Sequence, residues 1–216
     1  VNVGYSTLCR NLHEWGYSQI QPRPKAVKAD PVKQAGFVRT VHRLLPKKPD
    51  LWFQDETAFW ADPAAYKVWA LRGSKPSVPR LVTHEHVNVF GAVRPEDGRF
   101  YAFIASHGNA TLFQHFLDQM QERIDPSRRT IMVLDNVRFH HRHDLKWGNI
   151  EPLYLPAYSP NLNPIETLWL VLKKRFFNGW IPCVNEPLEQ RVTNAIGFYE
   201  QHPNLVQSAC AITTYL

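Results

Sequence analysis

Three acidic residues stand where they could do chemistry together. Asp55 follows Leu51-Trp52-Phe53-Gln54, Asp135 follows Ile131-Met132-Val133-Leu134, and Glu166 follows Asn163-Pro164-Ile165. The first two read as acids at the ends of apolar strands, the third as an acid at the start of a helix. Hard divalent cations prefer carboxylate oxygens, and acids at adjacent strand ends can converge on a pair of ions. Two cations roughly 3.5–4 Å apart activate an attacking oxygen and neutralise a leaving one, which is what phosphodiester cleavage requires. Each acid also has a plainer reading. An Asp at a strand end often caps a turn, and Asp135-Asn136 is ordinary turn chemistry. Asn163 as N-cap, Pro164 at N1 and Glu166 at N3 make a capping-box-like helix start, and spacing alone favours that reading for Glu166. Glu56, adjacent to Asp55, projects to the opposite face of a strand and is not expected to bind the same metals.

Basic and aromatic residues surround these acids in sequence. His140, His141 and His143 bring imidazoles of the kind that suit zinc or copper, but no second ligand group with zinc-like spacing accompanies them. With Arg138 and Arg142, the histidines form a local cationic cluster able to hold a phosphate, with ordinary packing as the competing reading. Lys173, Lys174 and Arg175 either extend that surface or answer the dipole of the helix they end. Trp60, Trp69, Trp147, Trp169 and Trp180 could stack on bases, although most tryptophans fill cores, and Trp169 is read as core. Gly-x-Ser-x-Gly, a phosphate-binding glycine loop and a dinucleotide-binding glycine pattern are absent, so nucleotide hydrolysis is not indicated.

The elements that must position these residues follow from periodicity. Leu8, Leu12 and Trp15 predict a short helix over Ser6–Trp15, with Ser6 as N-cap and Gly16 as the stop. Residues 21–31 hold Pro22, Pro24 and Pro31 with Arg23, Lys25 and Lys28, which suits an extended basic linker. Helical spacing returns from Val32 to Leu45 and ends at Pro46. Strands are expected at Leu51–Glu56, Tyr66–Leu71, Val87–Val93 and Phe100–Ala105, a helix at Thr111–Ile124, and a strand at Thr130–Leu134. A short helical or irregular stretch around Arg138–Trp147 precedes a strand at Glu151–Leu155, and a helix runs from Pro164 to Phe176. A meander feeding into β–α–β crossovers gives an α/β fold with a mixed sheet and helices on its faces.

Composition narrows the class further. The chain has 216 residues, enough for one full domain. Lys and Arg number 25 against 19 Asp and Glu, a basic balance that favours polyanionic partners. Cys9, Cys183 and Cys210 are scattered and odd in number, which argues against a disulfide framework or zinc ribbon and for a reducing cytoplasm. No apolar run is long enough to cross a bilayer, and the first residues lack a signal-peptide form, so no membrane partner is expected. Opening on Val1 fits a fragment, a processed chain or an unusual start codon.

The run Tyr154-Leu155-Pro156-Ala157-Tyr158-Ser159-Pro160-Asn161-Leu162-Asn163-Pro164-Ile165-Glu166, followed by Thr167-Leu168-Trp169, resembles the signature of transposases of the mariner superfamily, particularly the bacterial insertion-sequence branch. Gln54-Asp55-Glu56 resembles the family's block for the first catalytic acid, and Leu134-Asp135-Asn136 with His140-His141 resembles the second. The resemblance implies a ribonuclease-H-like fold with Asp55 and Asp135 on neighbouring strands. It implies a short helix-turn-helix remnant over residues 1–18, a basic linker and helix over 19–49, and a catalytic domain over 50–216. It makes Asp55, Asp135 and Glu166 the catalytic ligands of two Mg²⁺ ions, with Mn²⁺ able to substitute. Asn136, Arg138, His140, His141, Arg142, Lys173, Lys174 and Arg175 would then lie behind the metals or on DNA. The implied reaction is water-driven nicking of transposon ends and joining of the freed 3′-hydroxyl to target DNA. Its partners are double-stranded DNA and, once assembled on DNA, a second copy of the chain, in a nucleoid-associated protein of the bacterial cytoplasm. The thirty residues 136–165 between Asp135 and Glu166 are a few fewer than is usual in the family, a shortening expected around His143–Asn149. A non-transposing metal nuclease and an inactive DNA-binding fragment are the alternatives.

Overall fold

Leu51 and Phe53 alternate with Trp52 in a run apolar on both sides, so this segment must be covered on both faces. It is the middle strand of the molecule. The computed structural model describes residues 4–18, 26–62, 69–77 and 83–211. Among these, the elements in chain order are α1 (Tyr5–Glu14), α2 (Pro31–Leu44), β1 (Asp50–Trp60), β2 (His86–Arg94), β3 (Arg99–Ala105), α3 (Ala110–Gln121), β4 (Thr130–Leu134), β5 (Ile150–Tyr154), α4 (Ile165–Phe177), α5 (Leu188–Glu200) and α6 (Pro203–Ala209). The sheet order is β3-β2-β1-β4-β5. The β1–β2 and β2–β3 pairs are antiparallel, whereas β1–β4 and β4–β5 are parallel. The expected mixed sheet with flanking helices is present.

Side-chain alternation divides the core in two. Leu51, Phe53, Ile131 and Val133 join residues of α2, α4, α5 and α6 on one face. Trp52, Phe90, Met132 and Leu134 join Phe113, Phe116, Leu117 and Met120 of α3 on the other. Burying each of these large side chains is worth about 1.5–3 kcal/mol. The four α3 residues recur at helical spacing behind Asn109, whose side chain accepts a bond of 2.8 Å from the Leu112 N–H. Asp30 caps α2 in the same way, with Pro31 at the first helical turn. Phe37 and Val41 anchor α2 in the same core as β1.

Several expectations are corrected. Strand β1 does not stop at Glu56 but continues to Trp60, because pairing with β2 carries on through Trp60↔His86 after pairing with β4 ends at Phe53↔Val133. Asp55 therefore lies inside a strand, just beyond the end of its parallel ladder. Of the expected strand Tyr66–Leu71, residues 66–68 fall outside the described residues and 69–71 are not in a strand. Arg23 and Lys25 also fall outside. Helix α1 starts after Gly4, so Ser6 lies within it rather than capping it. Helices α5 and α6, not anticipated from sequence, cover the α4 side of the sheet.

Candidate active site

Parity on β1 puts Asp55 on the same face as Leu51 and Phe53, and Asp135 continues the Ile131–Val133 parity just past β4. Helix α4 packs on that face through Ile165, Leu168, Trp169 and Leu172, so its first turn brings in Glu166. The three acids meet in one cleft of roughly 390 Å³ at the carboxyl ends of the parallel strands, walled by Asn136, Val137 and the loop 155–160. The short spacing before Glu166 does not keep it away from the other two.

Asn163 is the first surprise. Its side chain does not cap α4; Pro164 occupies the N-cap position with no side-chain cap bond. Instead the buried Asn163 amide donates to the Gln54 carbonyl at 2.9 Å, fastening the start of α4 to the strand residue before Asp55. The capping-box reading of Glu166 fails for this reason, and Glu166, in the first turn of α4, lines the cleft. Trp169, a core residue as expected, has a second role: its indole N–H donates to Asp55 Oδ2 at 3.2 Å. The indole lies over Gly91, Asp55's partner on β2, where a Cβ would collide with its ring.

His140 organises the other side. It is 1% exposed, packed 4.3 Å from the Phe113 ring, with Nδ1 3.1 Å from Asp135 Oδ1 and Nε2 3.1 Å from Glu56 Oε1. Glu56 thus does project to the opposite face, as strand geometry requires, and is held there also by Gln54 at 2.8 Å. Ligand atoms of Glu56, Asp135 and His140 lie within 4.8 Å of one another. This trio is better described as a hydrogen-bonded chain than as a metal centre. Both ring nitrogens face carboxylate oxygens; burial lowers the His140 pKa, but the bonds to Asp135 and Glu56 outweigh it and lift the imidazole to about 9.

The electrostatics of the acids differ in kind. Burial, then the charges of Glu166, Glu56 and Asp135, push the Asp55 carboxyl up to about 8. Burial also acts to raise Asp135, yet the His140 and Val137 N–H bonds outweigh it and hold that carboxyl below its ordinary range. Glu166 is raised by desolvation and by Asp135, against the pull of Lys173. A crowded set of carboxylates, one holding a proton for want of a counter-charge, fits a hard divalent cation; the donors are all oxygens.

The remaining expected site residues are dispersed. Asn136 donates to the Leu155 carbonyl, closing the cleft wall. Exposed Arg142 is clamped to Asp144 at 2.8 and 2.6 Å, exposed His141 stacks on Tyr154 at 4.2 Å, and His140 faces inward. The expected phosphate-holding cluster of Arg138, His140, His141 and Arg142 is therefore not one patch; Arg138 is exposed nearby. The run after α4's first turns also splits. Lys173 turns inward to Thr57 Oγ1 at 2.7 Å, desolvation lowering its pKa, whereas Lys174 and Arg175 are exposed, Arg175 lying 4.5 Å over the Phe198 ring. Loop residue Tyr158, unremarked in the sequence beyond its motif, is 56% exposed at the cleft wall with φ at 58°. Such a left-handed backbone costs a bulky residue about 1–3 kcal/mol.

A family model for DDE superfamily endonucleases matches residues 50–186, the sheet and the whole cleft. The chain belongs to this family. A winged helix-turn-helix model matches residues 1–41. An uncharacterised 39 kDa protein of insertion element IS630 from Shigella sonnei is 24% identical over 180 residues, covering 80% of this chain and 52% of that protein, so the chain spans about half its length. Uncharacterised protein y4pE/y4sA of Sinorhizobium fredii is 28% identical over 94 residues, 43% of this chain and 70% of that protein. Among solved structures, the Mos1 mariner paired-end complex with Mn superposes with a TM-score of 0.71 at 15% identity, covering 96% of this chain and 69% of the other. The catalytic domain of Mos1 mariner transposase gives 0.58 at 14% identity, covering 89% and 98%. The endonuclease fold is thus the ribonuclease-H-like one that the sequence resemblance implied. Among the described residues no helix is long and apolar enough to cross a membrane.

Proposed function

We propose that this DDE endonuclease is a transposase of the mariner type, cutting DNA at transposon ends and joining the freed strand to target DNA. The observation that carries the reading is the convergence of Asp55, Asp135 and Glu166 from three separate elements on one cleft. These carboxylates would hold Mg²⁺ or Mn²⁺, two ions per site, which when bound activate the attacking oxygen and neutralise the leaving one. The protein's own contribution is positional. Trp169 and Asn163 fix the Asp55 strand against α4, His140 and the Val137 N–H fix Asp135, and Asn136 fixes the loop opposite. In the first step water attacks the phosphodiester, its proton leaves to solvent, and the departing strand takes a proton to become a 3′-hydroxyl. In the second, that hydroxyl attacks a target phosphodiester and one P–O bond replaces another, so no nucleotide cofactor is required.

The fold shared with Mos1 complexes named for paired ends and strand transfer supports this reading, as do the acids' electrostatics. Double-stranded DNA is the proposed partner, held by two copies of the chain, with residues 1–41 contributing to recognition through the helix-turn-helix resemblance. The test is a strand-transfer assay on labelled DNA with Mg²⁺ or Mn²⁺. Cleavage and joining support a transposase; hydrolysis without joining would make it a simple nuclease, and no metal-dependent reaction would make it a binding fragment.

A further inference from the structure

Tyr158 combines three properties that packing alone does not explain. It is an exposed aromatic, its backbone is in the left-handed region, and it lines the wall of the cleft that holds the three acids. The loop is pinned around it: Asn136 binds the Leu155 carbonyl, and Gln34 on α2 donates to Ser159 Oγ at 2.9 Å and to Asn161 at 3.3 Å. Ser159 is buried beneath and bonds the Ala157 carbonyl. Bonds from two directions thus force a strained residue to present its ring outward, the pattern expected where strain serves a site. Lys28, also exposed, stands 5.7 Å from the ring centroid.

Resting on the DNA-cleavage reading of this cleft, we propose that the Tyr158 ring is a stacking platform for a nucleobase next to the scissile phosphate, with Lys28 taking the neighbouring phosphate. Bases in an intact duplex are stacked on both faces, so the ring suits a base that has left the helix. Every base has a π-face, and the platform therefore orients the strand without reading sequence. Tyr158 makes its contact through the ring; the hydroxyl is dispensable.

The probe is a duplex with a frayed end whose unpaired base is a fluorescent purine, mixed with the full chain in a chelator so that it stays uncut. Wild type and Tyr158→Phe should quench the purine. Tyr158→Ala and Tyr158→Gly should lose the quenching and bind the frayed duplex about ten-fold more weakly, while binding a fully paired duplex as wild type does. Tyr158→Gly relieves the backbone, so its melting temperature should equal or exceed wild type, separating lost stacking from lost folding. Undiminished quenching in the Ala or Gly variant overturns the platform. If wild type cuts labelled DNA in Mg²⁺ but the purine signal ignores residue 158, the platform alone falls; a wild type that neither binds nor cuts DNA removes the cleavage reading and the platform together.

Discussion

Of the three acids on strand β1, Asp50 at its start and Asp55 in its interior are treated oppositely by the protein. Asp50 is 1% exposed and faces two guanidinium groups, Arg94 at 2.7 Å and Arg128 at 2.8 Å. Asp55 accepts a neutral indole N–H, and burial, followed by the charges of Glu166, Glu56 and Asp135, pushes its carboxyl up to about 8. A charge balanced within the chain is a structural device. A charge crowded by its own kind is complete only when something arrives from outside, and this distinguishes the start of the strand from its middle as scaffold and site.

Neutralising each acid in turn should separate scaffold from site. Asp55→Asn or Asp135→Asn should lower metal-dependent cleavage on the order of a thousand-fold or more, since several kcal/mol of transition-state stabilisation is removed. Asp55→Asn should leave the metal-free melting temperature unchanged or raised. Cleavage by either variant at the wild-type rate would remove the site from Asp55 and Asp135. Asp50→Asn should do the reverse: it takes one of two carboxylate partners from the buried Arg94, which keeps Asp97, and costs about 1.5–3 kcal/mol in urea unfolding. A loss of under about 1 kcal/mol there would mean that the two acids are not different in kind.

Cations and pH sharpen the contrast. Mg²⁺ at about a hundred times its dissociation constant should stabilise the wild type by about 2.7 kcal/mol and Asp135→Asn far less. The Asp55 pKa is raised on folding, from 3.8 to about 8, so the folded state binds its proton more tightly. Its contribution to metal-free stability is present at low pH and is lost as pH rises through about 8, a slope that Asp55→Asn should erase. Metal binding below that pH should release a proton, measurable by calorimetry in buffers of different ionisation heat. Equal proton release from Asp55→Asn would place the titrating group elsewhere.

A smaller effect belongs to Trp169→Phe, which keeps most of the ring and removes one N–H. About 1 kcal/mol, or roughly a five-fold fall in cleavage rate, is expected. Smallest of all, Lys174→Ala and Arg175→Ala together should weaken binding to all DNA sequences alike and flatten its salt dependence, each lost phosphate contact lowering the slope by about one. An altered cleavage rate at saturating DNA would bring those residues closer to the chemistry than their exposure implies.

Much of this arrangement was legible in the chain. Strand β4 is bounded as expected because five apolar or β-branched residues stand between a charged turn and Asp135-Asn136. The placing of Asp55 and Asp135 on neighbouring strands was implied by the family resemblance rather than by any local spacing. What stayed hidden was decided by contacts distant in sequence. Asn163-Pro164 looks like a helix cap until the Gln54 carbonyl competes for the amide. Asp55 looks like a strand end because nothing local reveals that β2 goes on pairing beyond it. The cationic look of 138–142 dissolved once Asp144, Tyr154 and Glu56 had claimed three of its members. Helix α5 did leave a signal, Leu188, Val192, Ala195, Ile196 and Tyr199 at helical spacing, although nothing in it pointed to the site.

The bare backbone at Gly91 has a consequence for substitution. Because no methyl group projects there, a full indole can lie across the strand and reach the carboxylate on the neighbouring one. Positions 91 and 169 are therefore coupled through one steric contact. A drift to alanine at the first would evict the ring from the second, loosening the reactive acid without touching it. The absence of a side chain at 91 is thus what lets the indole reach Asp55 from across the sheet.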